Sequence, residues 1–218
     1  MTSLPYSSPL QAYAATVFLE ATTVSEGRGT TTPFSLFGAP GLDALALQHS
    51  LNTYYYSTME QIVMDKPQSQ TLSSQLSFPD SYARDDLVAI FRASYFEPTF
   101  FKYNFTNVAG LQFFPNRFMD QTLTKEKSGA SHPGLFELGM QILATFIANY
   151  SSLDDSRFVF EWDGSWFGHP STSLIDMYAG TPSLRLLLNA GANATEIVKY
   201  YEKEVESFLQ DRQQYLLY

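Results

Sequence analysis

Apolar positions recur most regularly in the segment PGLFELGMQILATFIANY, residues 133–150, at Leu135, Leu138, Ile142 and Phe146, with Phe136, Met140, Leu143 and Ile147 alongside. That spacing predicts a helix whose apolar stripe is wide enough to be buried on most sides. A second, amphipathic helix is predicted after Asn193, which with Glu196 has the form of a capping box. Its inner face reads Ile197, Val198, Tyr201, Val205, Phe208 and Leu209, and the Lys and Glu positions between them form a solvated side. Thr181-Pro182 supplies an N-cap and first turn for a shorter helix ending near Gly191. After Pro40-Gly41, the pattern Leu42, Leu45, Leu51 suits a helix reaching about Tyr54.

Strand-like runs rich in β-branched and aromatic residues lie elsewhere: TVFLE (16–20), DLVAIFRASYFEP (86–98), TFFKY (99–103) and GLQFFP (110–115). Asn104 and Asn107 mark breaks between them. Residues 1–15 are rich in Pro and Ser and read as an extended lead-in. Residues 57–86 are polar, lack periodicity and contain two prolines, so they read as a long surface excursion. Strands come early and in the middle, and helices come mostly late. This order predicts a single α+β domain over 1–218, with a mixed or antiparallel sheet covered by helices, rather than a repeating βαβ wind.

Composition narrows the function classes. Hydrophobic residues make up 44% of the 218 positions and aromatics 16%, enough for a packed core. A net charge of −9 argues against binding a phosphate backbone, so nucleic acid is not expected as a partner. No apolar run is long enough to span a bilayer, and the first 20 residues lack the basic start and apolar stretch of a signal peptide. Cysteine is absent, which excludes disulfides and thiolate metal sites. His49, His132 and His169 are too far apart to suggest a zinc site; His49 reads as a helix-flank residue and the other two, each before proline, as turn residues. Neither metal nor cofactor is expected. There is no G-x-S-x-G elbow and no G-x-x-x-x-G-K loop.

The candidate chemistry is concentrated in FLEATTVSEGRGTTTPF, residues 18–34. Carboxylates at a strand end, followed by a polar loop with glycines, are a common way to present acid/base groups in a cleft. Glu20 would end the strand, with Glu26 and Arg28 on the loop. Gly27 and Gly29 would let the backbone approach a ligand. The hydroxyls of Thr22, Thr23, Ser25, Thr30 and Thr31 could bond sugar hydroxyls or orient the carboxylates. The alternative is a structural knot in which Arg28 satisfies Glu20 or Glu26 and the threonines cap turns.

The segment LEATTVSEGRGTTTPFSLFGAPGLDALAL closely resembles the NamZ-type exo-β-N-acetylmuramidases of bacteria, where it typically reads E-G-T-N-L-S-x-G-R-G-T-T-x-P-F-E-x-x-G-A-P. Further resemblances follow in order at YFEPTFFKY, GLQFF, LIDMYAGTPSLR and QQYLLY, covering residues 16–218. The resemblance implies a C-terminal α+β domain whose Rossmann-like N-terminal domain is absent from this sequence, with the active-site cleft formed between the two. It also implies release of terminal N-acetylmuramic acid from peptidoglycan fragments in an extracellular or periplasmic setting, with the principal catalytic glutamate on the other domain. Partners implied are muramic-acid-containing sugars and a Rossmann-like domain or subunit. A cleft wall exposed without its partner could also pair as a homodimer.

Glu20 and Glu26 are the carboxylates this chain could contribute to glycoside hydrolysis, Glu20 being preferred because its family counterpart is regularly Glu. Arg28 is the candidate for recognising the lactyl carboxylate of muramic acid. Glu20-Ala-Thr-Thr23 departs from the family's E-G-T-N, and residues 57–86 read as an insertion relative to compact members. Two other roles stay open at this point: a stand-alone carbohydrate-binding module with platforms such as Tyr95, Phe96 or Phe100, and a docking surface for a separate subunit.

Overall fold

The computed structural model describes residues 8–64, 90–115, 134–150, 163–164 and 169–216. Within them the chain is α+β, as expected, with an antiparallel three-stranded sheet covered by helices. The strands are β1 (Leu36–Ala39), β2 (Phe91–Phe96) and β3 (Val108–Phe113), with β3 in the centre. Gly38 pairs with Gly110 across β1 and β3. A Cβ on Gly38 would lie 2.6 Å from the Gly110 Cα, so the two backbones meet too closely for any side chain there.

Helix α1 (Ser8–Thr16) opens the described chain and runs into a 3-10 turn, Val17–Ala21. Both replace sequence expectations. The lead-in is helical from Ser8 because Pro9 sits in the first turn, where no backbone N–H is required, and an alanine-rich stretch follows. The TVFLE run is not a strand. Val17–Ala21 instead winds into the 3-10 turn, closed by the Thr22 N–H donating to Leu19 O at 3.1 Å.

Helix α2 spans Ala44–Met64, and Asp43 Oδ1 accepts from the backbone N–H groups of Leu45 and Ala46 at its start. Leu47, Leu51 and Tyr55 form its buried face. The helix passes Tyr54, so the excursion expected from residue 57 starts no earlier than 65; residues 65–89 lie outside the described residues. Helix α3 (Leu135–Tyr150) forms as the periodicity predicts, with Leu138, Met140, Ile142, Leu143 and Phe146 buried. Phe37, Phe91, Phe113 and Phe146 form the centre of the core, with Phe91 stacked on Phe113 at 5.2 Å. Burying each such ring stabilises the fold by about 1.5–3 kcal/mol.

The short strands β4 (Asp163–Gly164) and β5 (His169–Ser173) pair antiparallel, so His169 opens a strand rather than a turn. His49 is exposed on α2, and His132 lies outside the described residues. Helices α4 (Leu174–Ala179) and α5 (Ser183–Asn189) follow, tied by a bidentate pair in which Arg185 Nε and Nη2 donate to the Asp176 carboxylate. The Thr181 hydroxyl accepts from the Ser183 N–H, but the N-cap is Pro182, so the helix starts one residue later than the Thr-Pro pair suggests.

Helix α6 (Ala194–Asp211) carries the full capping box between Asn193 and Glu196. Its predicted inner face holds only in part. Ile197 is buried and Tyr201 packs edge-on to Phe136 at 6.1 Å, but Val205, Phe208 and Leu209 are exposed, because the helix extends past the layer that supports it. The TFFKY segment is likewise not a strand. Phe101, Tyr103 and Phe105 all have positive φ, and the chain there coils into successive turns. No described helix is long and apolar enough to cross a membrane.

Candidate functional site

The loop from Thr22 to Ser35 is pinned along the outer edge of β1, where Ser25 and Gly38 exchange backbone hydrogen bonds of 2.8 and 2.9 Å. Gly27 (φ +78°) and Gly29 (φ +84°) lie in the left-handed region. Their role differs from the one the sequence suggests. A Cβ on Gly27 would stand 2.3 Å from Leu36 O, and one on Gly29 would stand 2.7 Å from the Thr99 and Phe100 nitrogens. The glycines therefore admit the protein's own backbone, Gly27 that of Leu36 in β1 and Gly29 that of the 98–105 loop. Thr99 completes that contact by donating from both its N–H (3.1 Å) and its hydroxyl (3.0 Å) to Gly29 O.

Arg28 stands where the two loops meet. Its Nε and Nη2 both donate to Glu20 Oε1, and the Tyr178 hydroxyl donates to Glu20 Oε2 at 2.8 Å. The guanidinium also lies over the Phe34 ring, 5.3 Å from its centroid. Burial disfavours its charge, but the hydrogen bond and charge of Glu20, with the charge of Glu26, hold it above its ordinary range. Burial and the Glu20 acceptor together raise the Tyr178 phenol, which therefore stays a donor.

Glu26 is fully buried. Its Oε2 accepts from Lys102 Nζ at 2.9 Å, while its Oε1 is 3.1 Å from Arg28 Nε without a directed hydrogen bond. Lys102 Nζ also donates to three carbonyls, of Leu19, Glu20 and Val24, at 2.9–3.1 Å. Burial pushes this ammonium below its ordinary value, and Glu26 resists the shift.

Between the loops is an open pocket of about 460 Å³. Arg28, Gly29, Thr30, Thr31 and Pro33 line it from one side, and Thr99 and Phe100 from the other. Of the sequence candidates, Arg28, Thr30 and Thr31 therefore reach it. Thr30 Oγ1 also donates to Gly27 O at 2.6 Å. Thr22 and Ser25 are buried and hold the loop. The Thr22 hydroxyl donates to Leu19 O and accepts from Val24 N, and the Ser25 hydroxyl accepts from Gly27 N. Thr23 is half-buried. Glu20 and Glu26 lie behind Arg28 rather than in the pocket.

Of the aromatic platforms suggested by sequence, exposed Phe100 lines the pocket; Tyr95 is exposed outside it and Phe96 is half-buried. Residue-type reasoning missed Lys102, Tyr178 and Thr99. The first two lie within the YFEPTFFKY and LIDMYAG blocks, but nothing local to those blocks points back to residue 20 or 26. No cluster of potential metal ligands occurs among the described residues.

These features define a class: an α+β domain with a cation-lipped pocket between two stapled loops, whose nearby carboxylates are all held by cations or a phenol. The chain belongs to the family described as exo-beta-N-acetylmuramidase NamZ, C-terminal, whose model matches residues 11–76 and 83–218. It is 27% identical over 206 residues to the peptidoglycan beta-N-acetylmuramidase NamZ of Bacillus subtilis (strain 168), covering 94% of this chain and 36% of that protein. A DUF1343 family protein of Bacteroides fragilis NCTC 9343 shares the fold, with a TM-score of 0.55 and 20% identity over 95% of this chain and 41% of that one. The chain thus spans well under half the length of these two relatives.

Proposed function

We propose that this chain forms one wall of the sugar-binding cleft of a peptidoglycan-acting glycoside hydrolase of the exo-β-N-acetylmuramidase type, and that it binds terminal muramic acid without cleaving it alone. The observation that carries this reading is Arg28 at the pocket lip. Glu20 takes Nε and Nη2, while Nη1 makes no hydrogen bond among the described residues. Muramic acid differs from N-acetylglucosamine by a lactyl ether bearing a carboxylate, and a planar guanidinium edge suits that group. Thr31 and Thr99 add hydroxyls at the rim, and Phe100 an apolar face for the sugar ring.

Hydrolysis of a glycoside needs a carboxylic acid to protonate the leaving oxygen and a second carboxylate across the ring. Glu26 is enclosed, and both oxygens of Glu20 are engaged. Their part in this reading is to hold Arg28, and the proton donor comes from the opposite wall, supplied by a Rossmann-like domain or subunit. Acting on peptidoglycan would place the assembled enzyme outside the cytoplasmic membrane.

The test has two arms. The chain alone should not turn over a chromogenic β-N-acetylmuramic acid glycoside. It should bind N-acetylmuramic acid more tightly than N-acetylglucosamine, and Arg28→Lys should remove most of that preference. Turnover by the chain alone, or equal binding of the two sugars, would overturn the proposal.

A further inference from the structure

Lys102 is a buried cation that the pocket does not touch, yet the local backbone is bent to place it. Residues 101 and 103 on either side of it have φ of 74° and 56°, and residue 105 has 54°. Left-handed backbone is unfavourable for bulky side chains, so three such residues at alternate positions are maintained only where tertiary contacts demand it. Among the contacts made here is that of the Lys102 ammonium, which meets three carbonyls of the segment 19–24 and the Glu26 carboxylate, all within 3.1 Å.

The charges then alternate outward from the core. Lys102 meets Glu26, Glu26 faces Arg28, Arg28 is bonded to Glu20, and Glu20 accepts from Tyr178. Lys102 determines which way Glu26 points, because it engages Oε2 and leaves Oε1 only leaning on Arg28 Nε. Without Lys102, Glu26 would be an enclosed carboxylate whose nearest cation is Arg28. A buried charge without its partner is strongly unfavourable, so the guanidinium would be drawn inward, away from the pocket.

We propose that Lys102 is a positioning residue for anion recognition: by holding Glu26 from behind, it keeps the Arg28 guanidinium presented at the pocket lip. This rests on the reading of Arg28 as the group that binds the sugar carboxylate. Lys102 is also a determinant of specificity, acting through two other side chains and without touching the ligand. A purely structural lysine would affect stability and leave the choice between charged and uncharged sugars unchanged.

The experiment uses the full chain and the variants Lys102→Met and Lys102→Met with Glu26→Gln. Two quantities are read. One is the ratio of affinities for N-acetylmuramic acid over N-acetylglucosamine, by NMR titration. The other is the position of the Arg28 Nε–H signal in the free protein, assigned by its loss in Arg28→Lys. Lys102→Met should lower the ratio by about tenfold and shift the Nε–H signal. Adding Glu26→Gln removes the inward pull and should restore part of the ratio, to within about threefold of the native value. If Lys102→Met does not fold, Lys102→Gln, which keeps a hydrogen-bond donor without the charge, is read in its place, with the same fall in the ratio and a shifted signal expected.

An unchanged ratio with an unmoved Nε–H signal in Lys102→Met, or in Lys102→Gln where it stands in, would overturn the inference. If Arg28→Lys leaves the sugar preference intact, the muramic acid reading fails instead. The Nε–H signal then still decides whether Lys102 sets the position of Arg28.

Discussion

Gly29→Ala separates two reasons for a glycine, and its expected cost follows from the geometry. Gly29 has φ +84° and Gly41 has φ +81°, so alanine meets the same left-handed backbone penalty at both. After allowance for the smaller entropy of an unfolded alanine chain, that penalty is about 1 kcal/mol. Nothing lies within 4 Å of a Cβ on Gly41, so Gly41→Ala should cost only this much. At Gly29 the new methyl would sit 2.7 Å from the nitrogens of Thr99 and Phe100 and 2.9 Å from Phe100 O, all of them backbone atoms. The 98–105 loop must then move out by roughly 0.7 Å to reach ordinary contact. The two hydrogen bonds from Thr99 to Gly29 O span this gap and would be lost or weakened. At about 1 kcal/mol for each bond, Gly29→Ala should cost near 3 kcal/mol in total. Urea unfolding of both variants, with equal m-values, measures the difference. Gly29→Ala should also weaken sugar binding, because Thr99 and Phe100 move with the loop, whereas Gly41→Ala should not. If the two variants agree to within about 0.5 kcal/mol, the stapled-loop account of the pocket is wrong.

Two further outcomes are expected. Asn193→Ala removes half of the capping box at the start of α6 and should cost about 1 kcal/mol, read as a lower urea midpoint; an unchanged midpoint would mean that packing alone sets this helix start. Burial raises the Glu137 carboxyl, with the Tyr54 hydroxyl bond opposing, so the folded state holds that proton more tightly than the unfolded chain does. The stability this contributes is complete below the ordinary carboxyl range and is lost as pH rises through the raised value. Glu137→Gln should therefore stabilise the protein near neutral pH, with the gain disappearing in acid; a gain that is the same at both pH values would contradict the assignment.

Local patterns made a good part of this molecule legible. The α3 stripe and the α6 capping box both depend on residues three or four apart, so a short window contains the whole cause. The α+β class and the family block around SEGRGTT were readable for the same reason. The errors share a different origin. TVFLE is too short an apolar run for periodicity to distinguish strand from tight helix, and only the folded backbone, with the Thr22 N–H closed onto Leu19 O, settles it. TFFKY has strand-like composition, but tertiary contacts and turn hydrogen bonds, those of the Lys102 ammonium and of Phe105 N–H to Pro98 O among them, outweigh that propensity. The outer half of the α6 stripe predicts burial against a layer that ends before it does.

The loop of residues 18–34 shows where sequence stops and tertiary structure begins. The sequence alone determined that glutamates, an arginine, glycines and threonines would be gathered in one short polar segment, because that is a property of adjacency. It could not determine what each would face. Tyr178 reaches Glu20 across 158 positions of chain and Lys102 reaches Glu26 across 76, and only the packing of α4 and the 98–105 loop brings them there. A buried charge takes whichever partner the fold delivers, and the strength of that demand depends on burial, which has no local signature. Tertiary structure thus decided that two candidate acids would stand behind an arginine, and that the arginine would be the group at the pocket.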